Sequence, residues 1–408
     1  MLQSPLSKPP WTRKLRFESL CRANPNYKDF GTMAKILIVA TSDIHIKTFH
    51  VPFIEVLRKR GHKVEIAVEN RSGLPFRKIS REHNIVFPRK IFSRNHFSSL
   101  KKLRAIILEG KFDIVHCHTP IPSALTRLAV RPLKSKRPTT VYTAHGFHFY
   151  PGSNFAKFLL YFSVERFLSR WTDALICINR FDFFYSKRYF RAAETFLIPG
   201  VGVSSSRFAA QQPEARTEKR RRLSCEQDDF VLAYVAEFIP RKNHRFLIEA
   251  ISKLQKSIES LKLLLVGTGP LQPEMKELCA RLNLDGKVQF LGFREDVEDI
   301  VSVVDLGVST SRHEGLGLGV AEHMLCGVPV VASLDRGHIE LIDHGSNGFL
   351  YKQNKVTEFC RYIETLANDL DLRRKFGDAA QRKAKNFVTE FSLNAITAIY
   401  ADILQDRW

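Results

Sequence analysis

From Lys35 onward the chain repeats one pattern: a short apolar run, a polar stretch, then a longer segment whose apolar residues recur every three or four positions. Lys35–Ala40 (KILIVA), Val64–Val68, Asp113–Cys117 (DIVHC), Thr140–Ala144 (TVYTA), Ala174–Ile178 (ALICI) and Thr195–Ile198 are largely continuous apolar runs. Such runs suit parallel strands that are covered on both faces. Between them, Phe49–Arg60 and Phe97–Glu109 have helical period and are closed by Gly61 and Gly110, the residue type that ends helices in the left-handed conformation. This alternation predicts a doubly wound α/β domain. It breaks over 204–229, a polar segment holding Lys219, Arg220, Arg221 and Arg222. It then restarts with Phe230–Ala236, Lys262–Val266, Val288–Leu291, Leu306–Thr310 and Val328–Ala332. Helical stretches at Val356–Ala367, Leu372–Phe387 and Leu393–Leu404 end the chain. The expectation is two Rossmann-like α/β domains, 33–205 and 206–385, with a final helix in 386–408 returning toward the first. Ligands of such folds bind at the carboxyl ends of strands, so the expected site is a cleft between two facing domains.

Composition narrows the class. With 408 residues, 44% of them hydrophobic, the chain can bury two cores, which excludes disordered and fibrous classes. No apolar run approaches the roughly 18 residues of a membrane-spanning helix. Seven scattered cysteines (Cys21, Cys117, Cys177, Cys225, Cys279, Cys326, Cys360) form no CxxC pair and read as reduced packing residues of a cytoplasmic protein. Residues 1–32 have no apolar core of signal-peptide length and read as a disordered extension, with Met33 an alternative start. The excess of 63 Lys and Arg over 42 Asp and Glu gives a net charge of +21. That charge predicts attraction to a polyanion: nucleic acid, a phosphorylated small molecule or an anionic membrane.

The segment most informative for chemistry is Ser309–Ser333, STSRHEGLGLGVAEHMLCGVPVVAS. A strand ends at Thr310, a loop carries Glu314, glycines stand at 315, 317 and 319, and a helix runs from about Leu318 to Cys326. Free backbone N–H groups at such a helix start suit a phosphate. A carboxylate at its rim repels phosphate, so Glu314 and Glu322, eight positions apart, suit hydrogen bonds from sugar and ribose hydroxyls. The dinucleotide fingerprint GxGxxG is absent, because Val320 or Glu322 occupies its last place.

This EX7E spacing, followed by AEHMLCGVPVVAS and ELIDHGSNGFL, resembles the family-4 retaining glycosyltransferases of GT-B fold. VATSDIHIKTFHVPF, DIVHCHTPIPSALTRLA, YTAHGFHFY and IPGVGV are most similar to bacterial members that build exopolysaccharide and capsule. The resemblance covers nearly everything from residue 35 and implies roles residue by residue. Glu314 would contact the transferred sugar and Glu322 the ribose. Leu316, Gly317 and Leu318 would bind the donor diphosphate through backbone N–H groups, with Gly267 in the same donor site, and Lys242 of VAEFIPRKNH would grip the diphosphate. Many members carry an arginine five residues before that lysine, where this chain has Glu237; Arg241 is a candidate to supply the second cation. His145 of YTAHGF would contact the donor sugar or reacting groups. In SDIHIKTFH, His45, Lys47 and His50 stand where members receive the acceptor, and as cations they suit an acceptor phosphate.

The same resemblance implies no cofactor and no strict metal requirement. His116, His118 and His148 show no standard zinc spacing, and Asp369-Leu370-Asp371, formally DxD, reads as a helix cap. Phe155–Trp171 places aromatic and aliphatic groups beside Lys157, Arg166 and Arg170. That suits core packing and, as a hypothesis, peripheral contact with an anionic bilayer at the cytoplasmic face of the inner membrane. The expected activity is a hexosyl- or N-acetylhexosaminyl-type transfer from a nucleotide diphosphate sugar, a UDP-sugar foremost, to a lipid-linked saccharide hydroxyl. Two rivals stay open: a UDP-sugar epimerase of the same architecture, and a nucleic-acid-binding protein using the arginine run. The spacing of Glu314 and Glu322 favours transfer over epimerisation, and no nucleic-acid module accompanies the arginines.

Overall fold

The computed structural model describes residues 33–76, 79–88, 90, 93–150, 152–209 and 213–405. The extension expected over 1–32 and Cys21 lie outside them. The chain divides into two compact units, one taking it up to Val201 and again from Glu390, the other being Gly202–Thr389. Each is built on one parallel sheet.

The first sheet contains β1 (Lys35–Ser42), β2 (Lys63–Glu69), β3 (Arg81–Asn84), β4 (Ile114–His118), β5 (Thr139–Ala144), β6 (Ala174–Cys177) and β7 (Glu194–Leu197), in the order β3-β2-β1-β4-β5-β6-β7. The strand order reverses between β1 and β4, so the crevice outside their carboxyl ends is the place where this fold takes ligands. Leu37, Val39, Val115, Cys117, Tyr142 and Ala144 face a core completed by Leu103, Ile107, Phe147 and Phe149. The last helix, Thr389–Gln405, belongs to this unit and sets Tyr400 against His116.

The second sheet contains β8 (Phe230–Val235), β9 (Leu261–Val266), β10 (Val288–Gly292), β11 (Leu306–Ser309), β12 (Val330–Ser333) and β13 (Gly348–Tyr351), in the order β10-β9-β8-β11-β12-β13. Its switch point lies between β8 and β11. The chain enters and leaves this unit side by side: Val203 pairs with Val388, and Gly202, at φ +80°, has no room for a Cβ, which would lie 2.4 Å from Thr389 Cα. All six described cysteines are free and buried. Among the described residues no helix is long and apolar enough to cross a membrane.

Three departures from the sequence pattern have physical causes. β3 reads REHN, with no apolar residue; it is an edge strand, joined to β2 by the register Glu65↔Arg81 through Val68↔Asn84 and by the His83 ring, 2.6 Å from the Glu65 carboxylate. The helix expected over Phe49–Arg60 is observed as Val51–Lys59, and the SDIHIKTFH segment before it forms a further helix, Asp43–Phe49. Pro52 has no N–H to extend the first helix, and His50 takes a non-helical ψ of −2° that leaves it buried. The arginine run lies on the helix Pro213–Arg222, but it is not a uniformly solvated face. Arg220 is buried and donates to the carbonyls of Glu226, Asp229 and Val303 and to Asp305, while Lys219 pairs with Asp299 at 2.7 Å.

Candidate active site

In the second unit the loop after β8 forms a 3-10 turn, Pro240–Lys242, ended by Asn243 in the left-handed conformation. It is tied to the loop after β11 by the Arg312 N–H to Arg241 carbonyl bond (2.8 Å) and the Thr310 hydroxyl on the Lys242 carbonyl (3.0 Å), and to β8 by the Tyr234 hydroxyl on the same carbonyl (2.9 Å). Side chains meet across the same seam. Lys242 Nζ donates to Glu314 Oε1 at 2.5 Å, and Arg241 Nη1 donates to Oε2 at 2.7 Å. Burial pushes the Glu314 carboxyl up, but the Lys242 and Arg241 charges outweigh it and hold the group at about 2. Glu314 is therefore a fully ionised carboxylate at neutral pH.

The loop carrying Glu314 is fixed from behind. Asp335, just after β12, accepts the Glu314 N–H at 2.8 Å, and Gly337 approaches so closely that a Cβ there would lie 3.0 Å from Glu314 Cβ. Gly317, at φ +97°, caps the helix Leu318–Leu325, and Leu316 is buried beneath the turn. Glu322, one turn into this helix, is partly enclosed. Loss of water pushes its carboxyl up to about 7; Arg207 and Lys242 oppose the shift and Glu298 adds to it. Gly267 follows β9 at φ +134°, where a Cβ would stand 2.2 Å from the Ala236 carbonyl oxygen. Its conformation lets the loops after β8 and β9 pack together, and its N–H donates to Gly292.

In the first unit a different cluster stands at the switch point. His45 and His50 follow β1, His118 ends β4 and His145 follows β5. His50 Nε2 is 3.2 Å from His45 Nε2, and His118 Nδ1 is 3.2 Å from His145 Nε2. His116 lies below them, with Tyr400 Oη and Thr143 Oγ1 each 2.8 Å from its ring nitrogens. The loop of His145 is held by Asp182, which accepts the Phe147 N–H at 3.1 Å and the Asn179 side-chain amide at 2.9 Å. Burial lowers the pKa of every histidine of the cluster, that of His45 to about 4 and that of His145 to about 3.

Several sequence expectations are revised by this geometry. His45 and His50 are uncharged at neutral pH, and the Lys47 ammonium is taken by Asp43 (2.9 Å), Ser72 (2.6 Å) and the Leu74 carbonyl (3.2 Å), so the acceptor loop presents no free cation pair. Arg241 reaches Glu314 and the His313 carbonyl, while Glu237 is exposed two residues after β8. His148 is exposed, with its ring beside Tyr161, whereas His45, His50 and His145 bring ligating nitrogens within 4.8 Å of one another. A search for ligands close in sequence misses that group because the loop after β5 completes a pair that stands after β1. Asp335 and Gly337 were also missed, although their place at the end of β12 obeys the rule that located Glu314. Asp369 accepts the Leu372 N–H at 2.8 Å as a helix cap.

Comparison with known proteins follows these lines. A profile described as "Glycosyl transferases group 1" matches residues 215–383, and one described as "Glycosyltransferase Family 4" matches residues 52–199. The chain is 36% identical over 368 residues to the putative glycosyltransferase EpsD of Bacillus subtilis (strain 168), covering 90% of this chain and 96% of that protein. It is 26% identical over 314 residues to the UDP-Gal:alpha-D-GlcNAc-diphosphoundecaprenol alpha-1,3-galactosyltransferase of Escherichia coli, covering 76% and 80%. Among solved structures, Anabaena Alr3699/HepE in complex with UDP aligns with a TM-score of 0.74 over 90% of this chain and 99% of that one, at 22% identity. The shared fold is the GT-B class of two Rossmann-like domains.

Proposed function

The chain belongs to the group 1 and family 4 glycosyltransferases, and from that premise we propose that it moves a hexosyl or N-acetylhexosaminyl group from a UDP-sugar to a hydroxyl of a lipid-linked saccharide, with retention at the anomeric carbon, in exopolysaccharide or capsule assembly. The observation that carries this reading is the clamp of Arg241 and Lys242 on Glu314, beside the helix start at Gly317. As the glycosidic bond breaks, negative charge grows on the departing diphosphate. Lys242 and the N–H groups of residues 316–318 are the groups that oppose it, and fixed charges aimed at a developing charge lower a barrier most. Glu314 then orients the sugar, Glu322 accepts the ribose hydroxyls, and the departing diphosphate oxygen takes the acceptor proton. No protein nucleophile is invoked, so the chain contributes position and charge.

A UDP donor is supported by the E. coli relative, whose name includes UDP-Gal, and by the Anabaena structure with UDP. A lipid-linked acceptor is supported by the diphosphoundecaprenol in the same relative's name and by the helix Phe155–Leu168. That helix buries Glu165 and Leu168, yet leaves Phe155, Leu159, Leu160, Val164 and Phe167 exposed with Lys157 and Arg166 between them. An apolar face edged by cations suits the interface of an anionic bilayer.

The test is binding and slow hydrolysis of a panel of nucleotide sugars by wild type, Glu322→Ala and Lys242→Ala. Selective binding of one UDP-sugar, weakened by both substitutions, is the expected result. Binding of none would overturn the reading.

A further inference from the structure

Three imidazoles of the first unit converge on one point from two parts of the chain, the segment after β1 and the loop after β5. The ligating nitrogens of His45, His50 and His145 lie within 4.8 Å of one another, with His50 buried and the other two partly exposed. The His45 and His50 Nε2 atoms are 3.2 Å apart. A tetrahedral ion with metal–nitrogen bonds of about 2.0–2.1 Å holds its ligand nitrogens roughly 3.3 Å from each other. One edge of the required triangle is therefore already formed, and closing the rest takes small ring rotations.

Hydrogen bonding among the rings leaves this cluster incomplete. A neutral imidazole has one donor and one acceptor nitrogen. His118 gives Nδ1 to His145, and its Nε2, fully buried, has no partner among the described residues. Its ring lies 4.0 Å from that of His50, centroid to centroid, so His118 touches two of the three converging rings.

We propose that His45, His50 and His145 form a three-histidine site for a divalent transition ion of the zinc class, with the fourth coordination position open. The donor set selects the ion. Three nitrogens and no carboxylate suit zinc, cobalt or nickel and disfavour magnesium and calcium, which need oxygen ligands. Asp43, on the same loop, is taken by Lys47, Ser72 and the Arg71 N–H and serves the loop rather than the ion. With neutral ligands the ion keeps its double charge, as in sites that polarise an oxygen at the open position. On the function proposed above, that oxygen belongs to the acceptor; this role rests on that reading, whereas the binding of metal does not.

The experiment uses the full chain, stripped with a chelator and titrated with Zn2+ or Co2+. Bound metal is counted by mass spectrometry after gel filtration, and cobalt coordination is read from its visible absorption. One ion per chain is expected, with the intense spectrum of four-coordinate cobalt. His45→Gln and His145→Gln should each weaken binding at least about tenfold, and His148→Gln, at an exposed histidine outside the cluster, should not. Circular dichroism checks each fold; if His145→Gln unfolds, the partly exposed His45 decides. Absence of stoichiometric metal, or binding unchanged in His45→Gln, would overturn the site. UDP binding by the same stripped samples tests the transferase reading separately, because Lys242 and Glu322, on which the proposed UDP site depends, lie in the other unit.

Discussion

Both units gather polar side chains at the strand ends of a topological switch point, yet they answer the cost of burial in opposite ways. Around Glu314 the charge is kept: one buried carboxylate is held ionised by two cations at 2.5 and 2.7 Å. Around His145 the charge is given up, and five imidazoles stand neutral against one another. Desolvation penalises a charge in either place, and only a close opposite charge offsets it. A clamp of ions can exchange partners when an anionic ligand arrives; a nest of neutral rings offers lone pairs instead. The difference argues for phosphate chemistry in the second unit and oxygen or metal chemistry in the first.

The sharpest way to break that contrast is Lys242→Ala. If the ammonium opposes charge on a departing diphosphate, turnover should fall about 100- to 1000-fold, with weaker UDP binding in calorimetry. Glu314→Gln sharpens the same point with the opposite sign. It frees Lys242 and Arg241 from their carboxylate, so UDP should bind more tightly while turnover still falls. Unchanged kinetics in Lys242→Ala would make the clamp a structural ion pair only.

What the sequence revealed and what it hid divides along the same line. The alternation of apolar runs located eleven of the strands, because a parallel strand covered on both faces writes itself as a continuous run. β3 was invisible because REHN has no apolar residue, and the half-buried His83 is held by the Glu65 carboxylate rather than by a hydrophobic face. β13, GFLY, was read as part of a motif and too short to show a period. Glu314 and Lys242 were each legible from their loops. Their ion pair was not, since 72 residues separate them. Arg241 was read as a second cation for the diphosphate, in place of the arginine absent at position 237; its pairing with Glu314 was not legible. The histidine group was hidden because His145, after β5, is far in sequence from His45 and His50, after β1, and only the sheet order β1-β4-β5 brings them near.

A smaller effect tests how far the neutral strategy extends into the second unit. Glu322 sits near the ion clamp, yet its carboxyl is pushed up to about 7 from an ordinary 4.5. A group whose pKa is raised on folding adds stability below its unfolded pKa and loses it as pH rises through the folded one. Ligand-free wild type should therefore lose melting temperature between pH about 4.5 and 7 relative to Glu322→Gln. Ribose hydroxyls need the carboxylate as acceptor, so the affinity for a UDP-sugar, whose diphosphate does not titrate there, should rise about tenfold from pH about 6 to about 8. Glu322→Gln should flatten both profiles. An affinity that is flat in wild type would place the ribose elsewhere.

The smallest expected effect lies under the histidines. Tyr400, on the last helix, and Thr143, on β5, take the two ring nitrogens of His116 at 2.8 Å each, and either tautomer uses both. His116 in turn lies 4.2 Å from the His118 ring. Tyr400→Phe removes one hydroxyl and leaves a fully buried nitrogen without a partner, a change worth about 1–2 kcal/mol. Urea denaturation should show that loss, and UDP binding should be unchanged, since the hydroxyl serves only the first unit. Because His116 supports His118, and His118 touches His50 and His145, metal affinity should fall by a few-fold rather than vanish. Full stability in Tyr400→Phe would mean that His116 finds another donor or acceptor. The final helix would then be held to the sheet by packing of Tyr400 against Phe53, 5.2 Å between ring centroids, and not by the histidine beneath the site.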